Sequence, residues 1–322
     1  MSQAEVFKNF TIAVLLPCLN EEKTIASVVA NFRAVLPSAQ VFVFDNGSTD
    51  DTALAARQAG AVVKTVREKG KGNVVRRMFA DVEADIYLMA DGDLTYDSAA
   101  APLVIAKLVE EGWDMAVGCR QDDESEQGGA TYRKGHRFGN WLLTTVVGQL
   151  FGGHFSDMLS GYRAFTRRFV KSFPAQSRGF EIETELTIHA LEQRMPYGEL
   201  VTRYFSRPTG STSKLSTWKD GFKILKMIAR LFMVERPLAF YSVIAALLIG
   251  LSVLLSLPLF SGYWQTGLVP RIPTAILCVG LVLTGVLALV LGLMLDGISI
   301  NRQEIRRLAY LATPLLQAKK EQ

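Results

Sequence analysis

Short apolar runs alternate with amphipathic stretches over the first 120 residues of the chain. The continuously apolar runs predict strands that are buried on both faces, and they are Ile12–Leu16, Val41–Phe44, Ile86–Met89 and Met115–Val117. The intervening stretches repeat apolar residues at helical spacing, and they are Lys23–Val35, Asp51–Ala59, Gly70–Asp81 and Ser98–Glu111. This alternation predicts an α/β domain whose mostly parallel sheet carries helices on both faces. Ligands bind such a sheet beyond the carboxyl ends of its strands.

Helical patterning continues beyond this region. Two further helices are predicted over Arg137–Leu150 and Glu181–Arg194. The polar, glycine-bearing segment 121–135 predicts a surface loop and a candidate lid.

Two long uncharged stretches near the end of the chain predict a pair of transmembrane helices. Leu238–Leu257 and Thr274–Leu295 have the roughly 20 apolar residues that cross a bilayer core. The alternative is a buried core helix, which seldom runs this long without a charge. Basic residues flank the pair on its outer sides: Lys223, Lys226, Arg230, Arg236, Arg302, Arg306 and Arg307. The intervening loop carries only Arg271, so the positive-inside rule places both ends and the main domain in the cytoplasm.

A basic stripe precedes the first of these stretches. Lys219, Lys223, Lys226 and Arg230 fall on one helical face, opposite Ile224, Ile228, Leu231 and Phe232. This pattern predicts an interfacial helix beside lipid headgroups, and the alternative is an amphipathic helix packed on its own domain. The predicted organisation is a main domain (1–216), the interfacial helix (217–236), a transmembrane hairpin (237–300) and a cytoplasmic tail (301–322).

Composition agrees with this plan. Hydrophobic residues make up 49% of the 322 residues, with the excess beyond residue 237. A formal net charge of +4 is too small to argue for a nucleic-acid partner. The three cysteines, Cys18, Cys119 and Cys278, are too few and too widely spaced for a disulfide framework or a zinc site.

The most informative motif is Asp91-Gly92-Asp93, which directly follows a buried strand. Carboxylate oxygens at the end of a strand suit Mg²⁺ or Mn²⁺, and these ions share their coordination with phosphates. The motif therefore predicts a diphosphate ligand. Two other loops follow predicted strands, Pro17–Glu22 and Asp45–Asp50. By itself each is an ordinary turn leading into a helix, but Asp45 is placed to accept hydrogen bonds from a base or a ribose.

Together these segments resemble the family 2 glycosyltransferases of the GT-A fold. Pro17 with Asn20-Glu21-Glu22, the segment Asp45–Asp50 and Asp91-Gly92-Asp93 are similar to that family's motifs in their order along the chain. Asp157–Arg163, Arg207–Leu215 and the terminal hairpin resemble the polyprenyl-phosphate branch, which includes dolichol-phosphate mannose synthase and GtrB-like enzymes. The branch's usual DADLQ is replaced here by Asp91-Gly-Asp-Leu-Thr95, so the glutamine that can help hold a metal is a threonine.

The resemblance implies roles for individual residues. The nucleotide-sugar donor would contact Pro17, Asn20, Glu22, Asp45, Asn46, Lys71, Asp91 and Arg120. Asp93 would ligate Mg²⁺ or Mn²⁺ between the two phosphates of the donor. Asp91, Asp93, Asp157 and Arg207 are the candidate catalytic residues, and the lipid phosphate would be bound by Arg133, Arg137, Arg207 and Lys214. For any one of these cations, a solvated surface position is the alternative.

The predicted reaction is the metal-dependent, inverting transfer of a sugar from a nucleotide-diphospho-sugar to a polyprenyl phosphate. In a bacterium the acceptor would be undecaprenyl phosphate. A lipid bilayer and a homo-oligomer, with a tetramer as one form, complete the expected partners. The alternatives are a processive polysaccharide synthase, whose QxxRW motif the chain lacks, and a non-catalytic membrane-tethered nucleotide-sugar binding protein.

Overall fold

The computed structural model describes residues 9–122, 144–206, 217–269 and 271–316, with side chains left out at 122, 217–221, 223 and 224. The chain forms two compact units. The first contains the residues up to Leu225 together with those from Arg306 onward, and the second is Lys226–Ile305.

The first unit is built on a seven-stranded sheet. Its strands are β1 (Ile12–Cys18), β2 (Gln40–Asp45), β3 (Val62–Thr65), β4 (Ile86–Met89), β5 (Met115–Asp122), β6 (Arg163–Thr166) and β7 (Tyr197–Tyr204). Their order across the sheet is β3-β2-β1-β4-β6-β5-β7. All neighbouring pairs are parallel except that β6 runs antiparallel to both β4 and β5. The mostly parallel sheet predicted from the sequence is therefore confirmed.

The helices of the first unit follow the predicted pattern, except that the pattern did not predict the short helix Arg167–Ser172. They are α1 (Glu22–Val35), α2 (Thr52–Gln58), α3 (Lys71–Asp81), α4 (Ala101–Glu110), α5 (Arg167–Ser172) and α6 (Ile182–Glu192). A short 3-10 helix, Ser98–Ala100, leads into α4. Residues 144–151 are also helical, within the predicted helix that starts at Arg137. The remainder of that helix and nearly all of the candidate lid lie outside the described residues.

The core lies where the apolar runs predicted it. Every residue of β4 is buried, and β1 is buried along its length except at the partly exposed Pro17. Burial of an aliphatic side chain contributes about 1.5–3 kcal/mol, so these strands fix the sheet against its helices. The ordering of β1, β2 and β4 side by side brings their carboxyl-terminal loops to one edge.

The amphipathic stretch before the apolar region forms a helix, α7 (Thr217–Glu235). Ile228 is 1% exposed while Lys226 and Arg230 are exposed, so one apolar and one basic face are present in the described side chains. Whether the basic face meets a membrane stays a prediction, as do the domain boundaries at 216, 236 and 300.

The second unit contains two long apolar helices, α8 (Pro237–Thr266) and the larger part of α9 (Ile272–Ala312). Both are long and apolar enough to cross a bilayer, and only 11% and 17% of their most apolar windows are buried. Their contact is lined by small residues at seven-residue spacing: on α9 the buried positions are Cys278, Gly285, Gly292 and Ser299. Ser252 Oγ donates to the carbonyl of Cys278 at 2.9 Å. Small residues let two helices approach closely, as in membrane helix pairs.

Candidate active site

The loops after β1 and β2 are joined by hydrogen bonds. The Asn20 N–H donates to Ser48 Oγ at 2.9 Å, and Asn20 Oδ1 accepts from the Thr49 N–H at 2.8 Å. Asn20 has φ 53°, a left-handed conformation that asparagine tolerates better than most residues. The two predicted donor loops therefore form one surface at the carboxyl edge of the sheet.

The acidic residues of the second loop organise its turn and the following helices. Asp45 is 5% exposed and accepts from the Ser48 N–H at 3.2 Å. Asp50 accepts from the Thr52 N–H at 3.1 Å, at the start of α2, and from the Glu22 N–H at 3.2 Å. The side chain of Glu22 is exposed. Asp45 and Glu22 thus belong to the same pair of joined loops, and their contacts with a nucleotide stay predictions.

The side chain of Asn46 holds two loops together. Its amide donates to the carbonyls of Val66 at 3.2 Å and Glu68 at 2.7 Å, and it accepts from the Gly70 N–H at 2.7 Å. With 3% of the residue exposed, this side chain joins the loop after β2 to the loop before α3. Its predicted contact with the donor is not tested by these bonds.

The Asp91-Gly92-Asp93 turn lies against the first strand. The Thr24 hydroxyl donates to the carbonyl of Gly92 at 2.7 Å, which ties the turn to α1. A Cβ on Gly92 would lie 2.5 Å from the sulfur of Cys18, so only glycine fits. Leu94 follows with φ 65°, an uncommon conformation for a branched side chain, and such strain concentrates at functional sites.

The position of Asp93 is compatible with the metal ligand predicted from the sequence. It is 3% exposed, and its Oδ1 accepts from the Thr95 hydroxyl at 2.6 Å. Thr95 therefore orients Asp93, while Asp97 caps the 3-10 helix by accepting from the Ala99 N–H at 2.9 Å. Among the described residues, no group of three or more His, Cys, Asp and Glu is arranged around a common metal position. Mg²⁺-type sites need only one or two carboxylates when substrate phosphates supply further oxygens.

Lys71 bridges two carboxylates. Its Nζ lies 2.6 Å from Asp91 Oδ1 and 2.6 Å from Glu183 Oε1. Burial by itself would lower the pKa of Lys71, but the negative charges of Asp91 and Glu183 outweigh burial and raise that pKa well above its usual value. Lys71 is therefore a permanent cation at the site. Sequence reasoning missed Glu183, because it lies in another helix and no motif links it to Lys71.

Glycines determine where Lys71 lies. A Cβ on Gly70 or Gly72 would fall 2.1 Å or 2.3 Å from carbonyl oxygens of Arg178 and Ser177, respectively. Gly70 also has φ 117°, which L-residues with side chains rarely adopt. The backbone of 177–178 can pack against the start of α3 only because these side chains are missing, and this fixes the direction of Lys71.

Arg120 and Asp157 form a fork-like pair. Arg120 Nε and Nη2 donate to the two oxygens of Asp157 at 2.7 Å and 2.8 Å. Asp157 follows a turn held by Glu199 of β7, whose carboxylate accepts from the Ser156 N–H at 2.9 Å. Two predicted site residues are thus brought into contact, whereas the supporting Glu199 was not anticipated.

Two tyrosines connect the parts of the site. Burial raises the pKa of Tyr96 well above its usual value, and the charge of the nearby Asp91 adds to this. Burial likewise raises the pKa of Tyr204, with the charge of Asp93 adding to it, while Arg120 lies 5.6 Å from the Tyr204 ring centre. Both hydroxyls stay protonated at neutral pH. The Asp91–Asp93 turn and the Arg120–Asp157 pair therefore border one region.

The segment Asp157–Arg163 ends in a fully buried arginine. Arg163 donates to the carbonyl of Ser160 at 2.9 Å, to the Thr187 hydroxyl at 3.0 Å and to the carbonyl of Met158. It holds the loop that presents Asp157 rather than facing a ligand. The predicted phosphate-binding residues Arg133, Arg137, Arg207 and Lys214 lie outside the described residues.

A mostly parallel sheet, with the loops after β1 and β2 at its carboxyl edge and an Asp-x-Asp turn after the neighbouring β4, is the arrangement of a glycosyltransferase of the GT-A fold. The family model described as Glycosyl transferase family 2 matches residues 13–173, and the chain belongs to this family. It is therefore an enzyme that transfers a sugar from a nucleotide-sugar donor, as the sequence predicted.

Relatives and a solved structure agree with this assignment. The glycosyltransferase AglJ of Haloferax volcanii is 33% identical over 303 residues, which are 93% of this chain and 98% of that protein. Protein RfbJ of Shigella flexneri is 55% identical over 132 residues, 41% of this chain and 100% of that one. In fold, the chain is similar to glucosyl-3-phosphoglycerate synthase of Mycobacterium tuberculosis in complex with Mn²⁺, UDP-glucose and phosphoglyceric acid. That likeness has a TM-score of 0.57 at 23% identity, covering 72% of this chain and 84% of the other.

Proposed function

We propose that this glycosyltransferase transfers a hexose from a nucleotide-diphospho-sugar to a polyprenyl phosphate at the cytoplasmic face of a membrane. The observation that carries the proposal is the combination of a GT-A site with two apolar helices, of 30 and 41 residues, that are long enough to cross a bilayer. A soluble acceptor needs no such helices, whereas a lipid acceptor stays in the membrane. In a bacterium that acceptor is undecaprenyl phosphate.

Asp93 would hold the divalent cation, Mg²⁺ or Mn²⁺. When bound, the cation neutralises the diphosphate that leaves with the nucleotide. The presence of Mn²⁺ with UDP-glucose in the neighbouring synthase supports this role. Asp45, Asn20 and Glu22 would receive the nucleoside, since all belong to the joined loops after β1 and β2.

The acceptor needs little activation. A phosphate monoester is already ionised at neutral pH, since its second pKa is about 6, so no dedicated general base is required. The protein's task is to hold the lipid phosphate in line with the anomeric carbon, which inverts that centre. Arg120 supplies a guanidinium fork for the diphosphate of the donor, the geometry that binds phosphate oxygens best. Arg133, Arg137, Arg207 and Lys214 are the cations proposed to bind the lipid phosphate.

The exchange of partners by Arg120 is part of this proposal. In the present arrangement the guanidinium is paired with Asp157 at 2.7 Å and 2.8 Å. The donor's diphosphate competes for the same N–H groups, and Asp157 is then released to orient the acceptor. Asp91 is the alternative for that orienting role.

The membrane arrangement is proposed from charge. Both termini and the catalytic unit lie in the cytoplasm, because the cations flank the outer ends of the two helices. The enzyme assembles as a homo-oligomer, of which a tetramer is one form.

Transfer assays on the full-length protein in detergent or bilayers test this function. A panel of UDP- and GDP-hexoses is offered with Mn²⁺ or Mg²⁺ and a short polyprenyl phosphate, and the lipid product is isolated and its anomeric configuration determined. We expect one donor to give a glycosyl phospholipid, with no product from Asp93→Asn, whose melting temperature matches the wild type. Transfer to a growing saccharide instead of the lipid phosphate would identify a polysaccharide synthase and overturn the proposal.

A further inference from the structure

The site contains three charged side chains in contact, and their exposure to solvent increases from Glu183 to Lys71 to Asp91. The side chain of Glu183 is 6% exposed, that of Lys71 is 10% exposed and that of Asp91 is 29% exposed. Asp91 therefore borders the open site, and the other two stand behind it. A group bound at the site meets Asp91 first.

The geometry of the cluster is tight. Both ion pairs measure 2.6 Å, so two of the three ammonium N–H groups of Lys71 point at carboxylates. A Cβ on Gly161 would lie 3.1 Å from Lys71 Nζ and 3.2 Å from Asp91 Oδ2, which shows how closely the chain approaches this pair. Lys71 has little room to choose another direction.

Glu183 changes what Lys71 does to Asp91. One cation is shared by two carboxylates, so part of its hydrogen-bonding and electrostatic strength is drawn away from Asp91. Asp91 then keeps the capacity to accept hydrogen bonds from hydroxyls of a ligand. Without the second carboxylate, the lysine would bind Asp91 alone and compete with the ligand for it.

We propose that Glu183 is a positioning residue for the sugar donor, acting on Asp91 through the ammonium of Lys71. The inference rests on the donor half of the proposed function and on the donor contact that the family resemblance implies for Asp91, where hydroxyls of the sugar or ribose would lie. Glu183 lies in the first turn of α6, so the helix carries one member of the cluster. Lys71, shared between Glu183 and Asp91, thus holds Asp91 in place as a hydrogen-bond acceptor for the donor.

A purely structural ion pair between α3 and α6 is the alternative. Buried ion pairs are weak sources of net stability, but breaking one is costly, so melting temperature by itself does not separate the two explanations. Donor affinity does, because only a positioning residue alters it through Lys71.

The experiment is a double-mutant cycle on the full-length protein. The panel of UDP- and GDP-hexoses with Mn²⁺ identifies the donor that the wild type binds, and calorimetric titration with that donor compares Glu183→Gln, Lys71→Gln and the double variant. Glu181→Gln is the matched control, since it removes the same charge just before the same helix from a partly exposed position. KM for the lipid phosphate and the melting temperature are measured alongside.

We expect Glu183→Gln to weaken donor binding about tenfold, the effect of disturbing one hydrogen bond to a charged group. The KM for the lipid phosphate stays unchanged, and so does donor binding by Glu181→Gln. The double variant binds like Lys71→Gln alone, because Glu183 has no route to Asp91 once the ammonium is gone.

Wild-type donor affinity in Glu183→Gln overturns the inference, as do additive losses in the double variant or equal losses for donor and acceptor. If the donor pattern holds but no polyprenyl phosphate is glycosylated, the inference stands and the proposed acceptor falls. If the wild type binds no member of the panel, both fail.

Discussion

The residue between Asp91 and Asp93 is determined by a sulfur atom. Gly92 packs against Cys18 so closely that a methyl group would lie 2.5 Å from its Sγ, with Ile25 Cδ1 next at 3.4 Å. The departure from the branch's usual alanine therefore has a local cause: a cysteine at the end of β1 occupies the space that the methyl group would need.

Gly92→Ala is expected to displace the turn and to reduce transfer strongly. Overpacking of this kind costs about 1–3 kcal/mol, so the melting temperature falls as well. Cys18→Ala in the same chain removes the sulfur and restores part of both losses. Activity and melting temperature of the two single variants and the double variant provide the check, and equal activity of Gly92→Ala with and without Cys18 would contradict the explanation.

A buried histidine makes the catalytic unit sensitive to acid. Burial lowers the pKa of His189 to about 3, and the positive charge of Arg306 adds to this. Its ring lies between Phe169 and Phe173 with Nε2 3.2 Å from Ser172 Oγ, and Nδ1 has no hydrogen-bond partner in the described part of the chain. The folded protein therefore keeps this residue neutral.

The sign of the pH effect follows directly. Below its usual pKa of about 6.5 the unfolded chain binds a proton at His189 and the folded chain does not, so stability decreases by about 1.4 kcal/mol per pH unit down to about pH 3. His189→Phe removes this contribution. Melting curves at pH 7.5 and pH 5.0 are expected to show a smaller acid shift in the variant. Parallel shifts in both proteins would mean that other groups dominate.

The part of the site that the sequence predicts is the part built from local motifs. Asp93 and Asp45 follow buried strands, and the loops that carry them are recognisable one at a time. Glu183 and Glu199 act on Lys71 and on the turn before Asp157 from distant parts of the chain, and a partner of that kind leaves no local pattern. Distance along the chain, rather than chemical type, separates the predicted from the unpredicted residues.

At the scale of elements, burial decides which strands the pattern reveals. The predicted strands have continuous apolar runs, whereas the missed ones are β3, β6 and β7. β3 and β7 form the two edges of the sheet and are only partly buried. β6 is fully buried but begins with Arg163, whose guanidinium is satisfied by carbonyl and hydroxyl oxygens. Because β6 is only four residues long and one of them is charged, it has no continuous apolar run that would predict a strand.

The basic face of α7 leads to a prediction about alignment. Each cation near an anionic surface contributes about 1 kcal/mol, so four of them affect orientation although the two apolar helices are proposed to anchor the chain. Replacing Lys219, Lys223, Lys226 and Arg230 with Gln is expected to leave the protein in the membrane. Transfer to long-chain polyprenyl phosphate in anionic bilayers falls, while transfer to a short, water-soluble acceptor falls much less.

The comparison of the two acceptors separates the explanations. Equal losses would assign the basic face to packing or to the active site. Unchanged activity with both acceptors would leave α7 as an ordinary amphipathic helix, the alternative that its pattern also allows.

At the scale of the whole molecule, the chain leaves the first unit, which contains the candidate active site and is called the catalytic unit here, and later returns to it. Residues from Arg306 onward belong to the first unit, although they continue the helix whose earlier part lies in the second. Asp114, which is fully buried, accepts from the Tyr310 hydroxyl at 2.7 Å and from Arg168 Nη2 at 2.9 Å. Arg307 donates to the carbonyl of Gln193 at 3.1 Å. The segment predicted to be a cytoplasmic tail (301–322) is helical as far as Ala312, and from Arg306 onward it belongs to the first unit.

Tyr310→Phe tests how much this returning segment stabilises the catalytic unit. The ring remains, and with it the stacking of Arg168, whose guanidinium carbon lies 4.6 Å from the ring centre. Only the hydroxyl bond to Asp114 is lost, which costs about 1–2 kcal/mol because the acceptor is a buried charge and the tyrosine is itself only half-buried. Tyr263→Phe is the matched control, since that residue is 54% exposed in the second unit. We expect a lower melting temperature and faster proteolysis of the catalytic unit for the first variant alone. Identical behaviour of the two variants would show that the segment adds nothing through this bond.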